Sequence, residues 1–396
     1  MKITFIVEGY YPKISGVPNV VKYLAEGLAK KKHEVTIITR YIENQKEEEI
    51  YNNVNIIRVK NINRNILKKY VGNCKDYINY ILSRDDDVTI IECCQAMTTD
   101  ILLKYLTKIK GVKILHTHGL SGLTYSLFDW KGTIKNTIGN TYNYIFWKIY
   151  YKFILPKYIN DFDAIMSLCE TDSSIKFLDK YYNKDRYVLG NAADDQFFQK
   201  LKRNGAIEKY TEISGEGYFL SVANYSAYKN QIGILKQYYK CKNINFDMVF
   251  IGSQKNKYYK KLLKINDLLE KKYNKKVNVH FLTSVDRKDI LFIMQNAKLY
   301  LVGSKYEEYS ISIIETISQG VPFISTDVGN AKLLPGGITV DNISKMHKAI
   351  ENLLKDNNKY QELSESGRKY ANEYCKISNA VEKLENIIKK EIEKRK

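Results

Sequence analysis

Two glutamates and the predicted helix start between them are the residues best placed to do chemistry in this sequence. Glu307 and Glu315 lie within residues 306–330, YEEYSISIIETISQGVPFISTDVGN. Ser310 stands where it would cap a helix that contains Glu315, and a Gly-x-Pro sequence would end that helix. Free N–H groups at a helix start reached from a strand end favour an anion such as a diphosphate. The pattern predicts an anion site beside Glu307; the alternative is that both glutamates are surface residues.

The first forty residues show the element order that opens a parallel doubly wound sheet. An apolar strand at 3–7 is followed by a loop at 8–18, an amphipathic helix at 19–31 and a strand at 34–39. Further buried strands are predicted at 54–59, 88–91, 112–116, 164–168 and 187–189.

A polar, glycine-containing segment at 190–218 breaks this rhythm and predicts a hinge. After it, strands alternate with helices again, and helices cover most of the chain from residue 344 onward. We therefore predict an α/β chain with one domain at 1–192 and a second at 193–375. A C-terminal helix at 376–396 is expected to pack back on the first domain.

Length and composition fit this division. The chain has 396 residues, about twice the usual domain size. Hydrophobic residues make up 44% and charged residues 27%, which argues against disorder and against a membrane channel. The initial apolar run is too short for a secretory signal, and no stretch of 18 uncharged apolar residues occurs. The six cysteines have no C-x-x-C spacing, so we expect free thiols in the cytoplasm.

The run at 306–330 resembles the E-x7-E signature of glycosyltransferase family 4, with the G-x-P and T-D-x-G elements that follow it. The resemblance extends over nearly the whole chain and is weakest at residues 44–83. It implies the GT-B architecture, two Rossmann-like doubly wound parallel-sheet domains facing a central cleft. The N-terminal domain would bind the acceptor and the C-terminal domain the nucleotide sugar.

The same resemblance assigns roles within the signature. Glu307 is expected to face the donor sugar as a catalytic residue, and Glu315 to accept hydrogen bonds from the ribose hydroxyls. Ser310 and Ile311, at the start of the helix, are expected to bind the donor.

A second segment, FLSVANYSAYKNQ at 219–231, resembles the place where family members neutralise the donor phosphates with an arginine and a lysine. Lys229 occupies the lysine position, although an ordinary solvated lysine is the alternative. Asn224 stands where the arginine is usual, which removes one positive charge. Either another base compensates, or the donor binds more weakly. Gly252 follows a predicted strand and would let the nucleotide approach the backbone.

Two positions in the first half also match the family. Gly16 lies in a loop that resembles the family's glycine-containing loop after the first strand and is expected to contact the donor; an ordinary strand-to-helix turn is the alternative. LHTHG at 115–119 resembles the histidine-glycine element, by which His118 would face the donor sugar and serve catalysis. The alternative for His118 is a core histidine, and His116 is interpreted as a packing residue.

Motifs for other chemistries are missing from the sequence. No D-x-D motif stands at a strand end where a metal-dependent transferase needs it, and the acidic run at 85–87 precedes a strand and reads as a surface turn. A positively charged site and a helix N-terminus can stabilise the leaving diphosphate instead. We therefore expect no metal and no cofactor. A hydrolase triad is disfavoured because no serine or cysteine has an adjacent histidine.

The net charge of +19 indicates either a lysine-rich solvated surface or an anionic partner. No nucleic-acid-binding module is recognisable, so nucleic acid is not expected. Residues 125–158 mix aromatic residues, six of them being Trp130, Phe146, Trp147, Tyr150, Tyr151 and Phe153, with five lysines and a single acid, which suits an interfacial helix at an anionic membrane. A helical hairpin with its aromatic residues in the core explains the same segment equally well.

The resemblance to family 4 implies a retaining, metal-independent hexosyltransferase that makes an α-linkage from a UDP-, GDP- or similar sugar. Its acceptor would be a glycan or a lipid-linked glycan of cell-surface polysaccharide or glycoconjugate synthesis, at the inner face of the membrane. The alternatives are a GT-B nucleotide-sugar epimerase or phosphorylase and a non-catalytic sugar-nucleotide binder. The sugar, nucleotide base, acceptor, linkage and oligomeric state are not specified by these patterns.

Overall fold

A computed structural model describes residues 1–12, 16–65, 69–124, 134–199, 205–273 and 278–396. The chain divides into two compact units. The first contains Met1–Asn191 and Ile377–Lys396, and the second contains Ala192–Lys376. Residues 13–15 of the predicted glycine loop and residues 125–133 of the aromatic segment lie outside the described residues.

The first unit is built on an eight-stranded sheet whose order is β10-β9-β8-β7-β1-β2-β4-β3, and only β3 runs antiparallel to its neighbour. Its strands, together with the separate β5–β6 hairpin, are β1 Lys2–Ile6, β2 Glu34–Arg40, β3 Glu48–Tyr51, β4 Val54–Val59, β5 Ile62–Arg64, β6 Tyr70–Gly72, β7 Val88–Glu92, β8 Val112–His116, β9 Ala164–Ser167 and β10 Asp185–Val188. Its helices are α1 Gly16–Lys30, α2 Cys74–Ser83, α3 Met97–Asp100, α4 Ile134–Ile149, α5 Ile175–Tyr181 and, from the C-terminus, α12 Ile377–Arg395.

Helix α12 packs against α1. A Cβ atom on Gly27 of α1 would lie 2.3 Å from the Val381 side chain, so only glycine allows this close approach. The Glu385 carboxylate accepts from Lys31 Nζ at 2.5 Å and lies 3.2 Å from the His33 ring. The C-terminal helix is therefore an integral part of the first unit.

The second unit has a six-stranded, fully parallel sheet of order β13-β12-β11-β14-β15-β16. Its strands are β11 Tyr218–Val222, β12 Asp247–Gly252, β13 Val279–Thr283, β14 Leu299–Val302, β15 Phe323–Thr326 and β16 Gly337–Val340. Its helices are α6 Gln231–Lys240, α7 Lys257–Tyr273, α8 Arg287–Gln295, α9 Ile311–Ser318, α10 Met346–Lys355 and α11 Asn357–Tyr374. This strand order is that of the Rossmann fold.

The strands are buried because nearly continuous apolar runs face helices on both sides of each sheet. All residues of β7, β8 and β12 are buried, for example. In the described part of the aromatic segment, Trp147, Tyr150 and Tyr151 belong to the core of the first unit. Among the described residues, none of the helices combines the length and the apolar character that crossing a membrane requires.

Candidate functional site

The carboxyl edge of the second sheet carries the clearest candidate site. Strand β11 lies between β12 and β14, so the strand order reverses beside β11, and ligands of open parallel sheets bind at such switch points. The loop after β11 carries Lys229, and the loop after β14 carries Glu307. The topology therefore brings together two predicted residues that are 78 positions apart in sequence.

Lys229 and Glu307 form an ion pair across this switch point. Lys229 Nζ contacts Glu307 Oε1, and Ser304 Oγ donates to the same oxygen at 2.7 Å. The side chain of Lys229 is 32% exposed and that of Glu307 is 12% exposed. The pair is thus oriented by the protein and still reachable from solvent, as a site for a charged ligand must be.

Helix α9 starts next to this pair, and Ser310 occupies its N-cap position. The prediction that Ser310 caps the helix with its side chain is wrong, because its hydroxyl pairs with Ser312 Oγ at 3.2 Å and makes no cap bond. The backbone N–H of Ser310 donates to Asn330 Oδ1 at 2.9 Å. The start of α9, including Ile311, is left without a side-chain cap, an arrangement that favours a bound anion.

Glu315 lies in the second turn of α9, where its side chain is 3% exposed. Both of its oxygens face the guanidinium of Arg287, the first residue of α8. Burial raises the pKa of the Glu315 carboxyl, and the charge of Arg287 opposes this rise. The Arg287 guanidinium therefore fixes the position of the Glu315 carboxyl group to which a ligand hydroxyl could donate. Sequence reasoning missed Arg287.

The other two predicted donor residues of the second unit lie at the ends of β11 and β12. Asn224 is exposed, and its backbone carbonyl accepts from Gln231 Nε2 at 3.0 Å. A Cβ atom on Gly252 would lie 2.4 Å from the ring of Tyr225, so this glycine makes room for a tyrosine. The hydroxyl of Tyr225 donates to the carbonyls of Phe250 and Leu282, which fixes that ring. Packing therefore accounts for the glycine at position 252.

The first unit places His118 just after β8, in a left-handed conformation with φ of 51°. Its Nε2 atom lies 2.6 Å from Glu92 Oε2, and His116 Nδ1 lies 3.1 Å from the same oxygen. All three side chains are 5% exposed or less. Burial lowers the pKa of His118, so a neutral ring that donates from Nε2 to Glu92 is favoured. Sequence reasoning missed Glu92.

Among the described residues, this trio is also the group whose side chains are arranged as the ligands of a metal ion could be. The ligand-type atoms of Glu92, His116 and His118 lie within 4.8 Å of one another, and two histidines with a carboxylate suit Zn²⁺. The short distance between His118 and Glu92 shows that a hydrogen bond already uses these atoms. The expectation that catalysis needs no metal stays a prediction.

Gly16, the remaining predicted residue, begins α1 with φ of +41°. A Cβ atom there would meet nothing within 4 Å, so backbone conformation rather than space explains the glycine. The predicted roles of Gly16, His118 and the second-unit residues in binding and catalysis stay predictions.

Most of the second unit matches the model of a known protein family. Residues 203–370 match the family model described as Glycosyl transferases group 1. The match spans less than half of the chain and includes Lys229, Glu307 and Glu315. No curated protein matches the sequence.

Solved structures resemble the chain over nearly its full length. Sucrose-phosphate synthase (tll1590) from Thermosynechococcus elongatus is 13% identical with a TM-score of 0.71, and 98% of each chain is covered. WaaG, a glycosyltransferase involved in lipopolysaccharide biosynthesis, is 16% identical with a TM-score of 0.67, covering 98% of this chain and 99% of WaaG. Anabaena Alr3699/HepE in complex with UDP-glucose is 12% identical with a TM-score of 0.67, covering 98% of this chain and all of HepE. These likenesses show the GT-B fold and confirm the prediction of two Rossmann-like units.

Proposed function

We propose that the protein is a glycosyltransferase that takes a sugar from a nucleoside diphosphate sugar bound by its second unit. The observation that carries this proposal is the Lys229–Glu307 pair at the β11–β14 switch point, beside the uncapped start of α9. Both features lie within the residues that match the group 1 family model. A lysine and a helix N-terminus together provide the positive potential that a diphosphate requires.

The chemistry follows from the charge that develops as the sugar leaves. When the bond between sugar and phosphate breaks, negative charge grows on the diphosphate, and Lys229 Nζ with the α9 N–H groups would stabilise it. Glu307 then gives up its contact with Lys229 and accepts hydrogen bonds from sugar hydroxyls. Glu315 accepts from the ribose while Arg287 holds its carboxyl group in position. Asn224 adds no positive charge, so Lys229 provides the larger share of the side-chain stabilisation of the diphosphate.

The E-x7-E pattern extends this proposal to a particular glycosyltransferase family and reaction type. We assign the protein to family 4, with retention of configuration, an α-linked hexose product and no metal in the transfer step. Support for UDP as the carrier comes from HepE, whose structure contains UDP-glucose. Retention is supported by family analogy.

The proposed acceptor is a glycan or a lipid-linked glycan at an anionic membrane. On α4 and the helical turn that follows it, Ile145, Ile149 and Phe153 are 50%, 47% and 54% exposed. Their spacing of four residues places them on one face, with Lys148 and Lys152 nearby in the sequence. Such a face suits shallow insertion among lipid headgroups. WaaG, which has the same fold, is described as acting in lipopolysaccharide biosynthesis.

A thermal-shift panel of nucleotides and nucleotide sugars tests the donor proposal. A ligand that binds only the folded protein raises its melting midpoint. We expect UDP and UDP-sugars to raise it in the wild type and to lose most of this effect in Lys229→Met. No shift with any nucleoside diphosphate would overturn the proposal. Conversion of a UDP-sugar without an acceptor would instead indicate an epimerase.

Liposome flotation tests the membrane proposal. We expect the protein to float with vesicles that contain phosphatidylglycerol and not with neutral phosphatidylcholine vesicles. Phe153→Ser should weaken flotation, whereas Leu268→Ser, at a 68% exposed leucine of α7, should not. Equal binding to both vesicle types, or equal loss in both variants, would contradict it.

A further inference from the structure

The first unit contains a cavity at the switch point of its own sheet. Strand β1 lies between β7 and β2, and the cavity, of about 80 Å³, lies where these three strands end. Glu8 follows β1, Arg40 ends β2, and Gln95 follows β7. Three strand ends around one opening form the usual setting for a ligand in an open parallel sheet. Its lining includes Glu8, Arg40, Arg64, Tyr70, Gln95 and Met97.

Two arginines reach this cavity from different elements. Arg40 Nη2 lies 3.5 Å from Asn63 Oδ1, and no carboxylate of the described chain forms an ion pair with Arg40. Arg64 comes from the β5–β6 hairpin, and its guanidinium lies 5.2 Å from the ring centre of Tyr70 and 5.4 Å from that of Trp147. These rings hold the guanidinium in place. Two planar donors converging on one space are suited to phosphate or carboxylate oxygens.

The nearby acids are bonded to groups of the protein wall. Glu8 Oε2 accepts from the backbone N–H of Met97 at 3.1 Å. Asp100 is half-buried, and it accepts from the Tyr70 hydroxyl at 3.0 Å and the Tyr150 hydroxyl at 2.7 Å. Burial raises the pKa of Asp100 to about 6, but Asp100 does not line the cavity. Among the charged residues that do line it, two arginines face a single glutamate, so the lining carries a net positive charge.

Backbone strain occurs at the same edge. Cys93 and Gln95 both have left-handed conformations, with φ of 66° and 64°. Gln95 Oε1 accepts from the Gly122 N–H at 3.2 Å, and a Cβ atom on Gly122 would lie 1.9 Å from Gln95 Nε2. Strained residues held by such contacts are concentrated at functional sites.

We propose that this cavity binds a phosphate group carried by the acceptor. The inference rests on the proposed glycosyltransferase function and narrows its acceptor to a negatively charged class. The group could belong to a soluble sugar phosphate or to a lipid phosphate, because Arg64 contacts the ring of Trp147 on α4, the helix whose exposed face carries Ile145 and Ile149.

The test compares matched ligands with saturating UDP present, so that the second unit cannot supply the phosphate site. In the soluble arm, glucose 6-phosphate and inorganic phosphate are compared with glucose by ligand-induced thermal shift. In the lipid arm, phosphatidylcholine vesicles with and without phosphatidic acid are compared by flotation. The variants are Arg40→Gln and Arg64→Gln. Arg186→Gln is the control, since Arg186 pairs with Asp179 on the surface of the same unit.

We expect a phosphate-dependent effect in at least one arm, and the arm that responds identifies the source. Each cavity variant should weaken that effect about tenfold or more, and the control should not. Arg64→Lys, which keeps the charge and loses the planar fork, should be intermediate. The proposal is overturned if neither arm prefers phosphate or if the preference survives both cavity variants. In either case a UDP-induced shift would still support the donor proposal separately.

Discussion

The two sheets place different kinds of residue at their carboxyl edges. In the second unit, Lys229 and Glu307 stand on loops, partly exposed, beside a helix start that no side chain caps. In the first unit, Glu92 and the two histidines lie at the strand ends themselves and are buried. The Lys229–Glu307 pair of the second unit is reachable from solvent, whereas the Glu92, His116 and His118 side chains of the first unit are enclosed by the protein.

This difference indicates separate physical roles. A loop charge can exchange its protein partner for a ligand at little cost, because solvent reaches it throughout. A buried carboxylate cannot lose its partners without a large desolvation penalty. We therefore expect substitutions at the second edge to change binding and turnover, and those within the buried trio to change stability as well.

The largest effect is expected for Glu307→Gln. Turnover of the nucleotide sugar should fall about 10²–10³-fold in kcat/KM, because the carboxylate no longer accepts from the sugar. UDP alone should bind no more weakly, since the substitution removes a negative charge near the diphosphate and releases Lys229. Steady-state kinetics and calorimetric titration with UDP measure the two quantities.

Glu308→Gln is the matched control, because the neighbouring Glu308 contacts the hydroxyl of Tyr306. It should leave both quantities near wild type. A parallel fall of UDP affinity and turnover in Glu307→Gln would show that Glu307 mainly maintains the loop.

Glu92→Gln should destabilise the first unit by about 3 kcal/mol at neutral pH, because the histidines lose a charged partner. Burial raises the pKa of the Glu92 carboxyl, but the His116 and His118 rings outweigh burial, so it falls from 4.5 to about 2. A carboxyl with a lowered folded-state pKa stabilises the fold above pH 4.5 and loses this contribution as pH falls toward 2. The wild-type advantage should shrink over that interval.

Tryptophan fluorescence during denaturant unfolding measures this effect, since Trp147 lies in the core of the first unit and residues 192–376 contain no tryptophan. Glu170→Gln, at an exposed glutamate of the same unit, serves as the control. A difference between wild type and Glu92→Gln that stays constant from pH 5 to pH 2 would exclude this account.

Lys229→Met should weaken UDP binding about tenfold to a hundredfold, because the proposed donor site loses a positive charge. Calorimetric titration at two salt concentrations measures this, and the wild type should show the stronger salt dependence. Lys236→Met, at an exposed lysine of α6, should bind UDP as the wild type does. Unchanged affinity in Lys229→Met would place the diphosphate elsewhere.

The second edge was easier to predict from sequence than the first. Strand β14 has the predicted bounds 299–302, and the loop residues after it form a recognisable pattern of charges and a helix start. In the first unit, the strands β5 and β6 were missed because three residues are too few to show a periodic pattern. The overall class could be predicted because parallel strands leave long apolar runs.

The missed site residues share one property: their partners are distant in sequence. Glu92 is paired with His118, 26 positions away, and Arg287 with Glu315, 28 positions away. A signal for Glu92 was present, since it is a charged residue that directly follows the apolar run 88–91 at the end of a buried strand. Arg287 carried no comparable signal in a chain with 63 basic residues.

The smallest effect is expected for Ser310→Ala, which tests whether the N-terminal N–H groups of α9 are available to an anion. Because the Ser310 hydroxyl makes no cap bond, its loss should cost the second unit less than about 0.5 kcal/mol. Asp356→Ala is the matched control in the same unit, since Asp356 accepts from the N–H of Lys359 at 2.9 Å, and it should cost about 1 kcal/mol. If Ser310 binds the donor, UDP affinity should fall about threefold in the first variant and stay unchanged in the second. Equal destabilisation by both substitutions would show that the start of α9 is capped and unavailable to an anion.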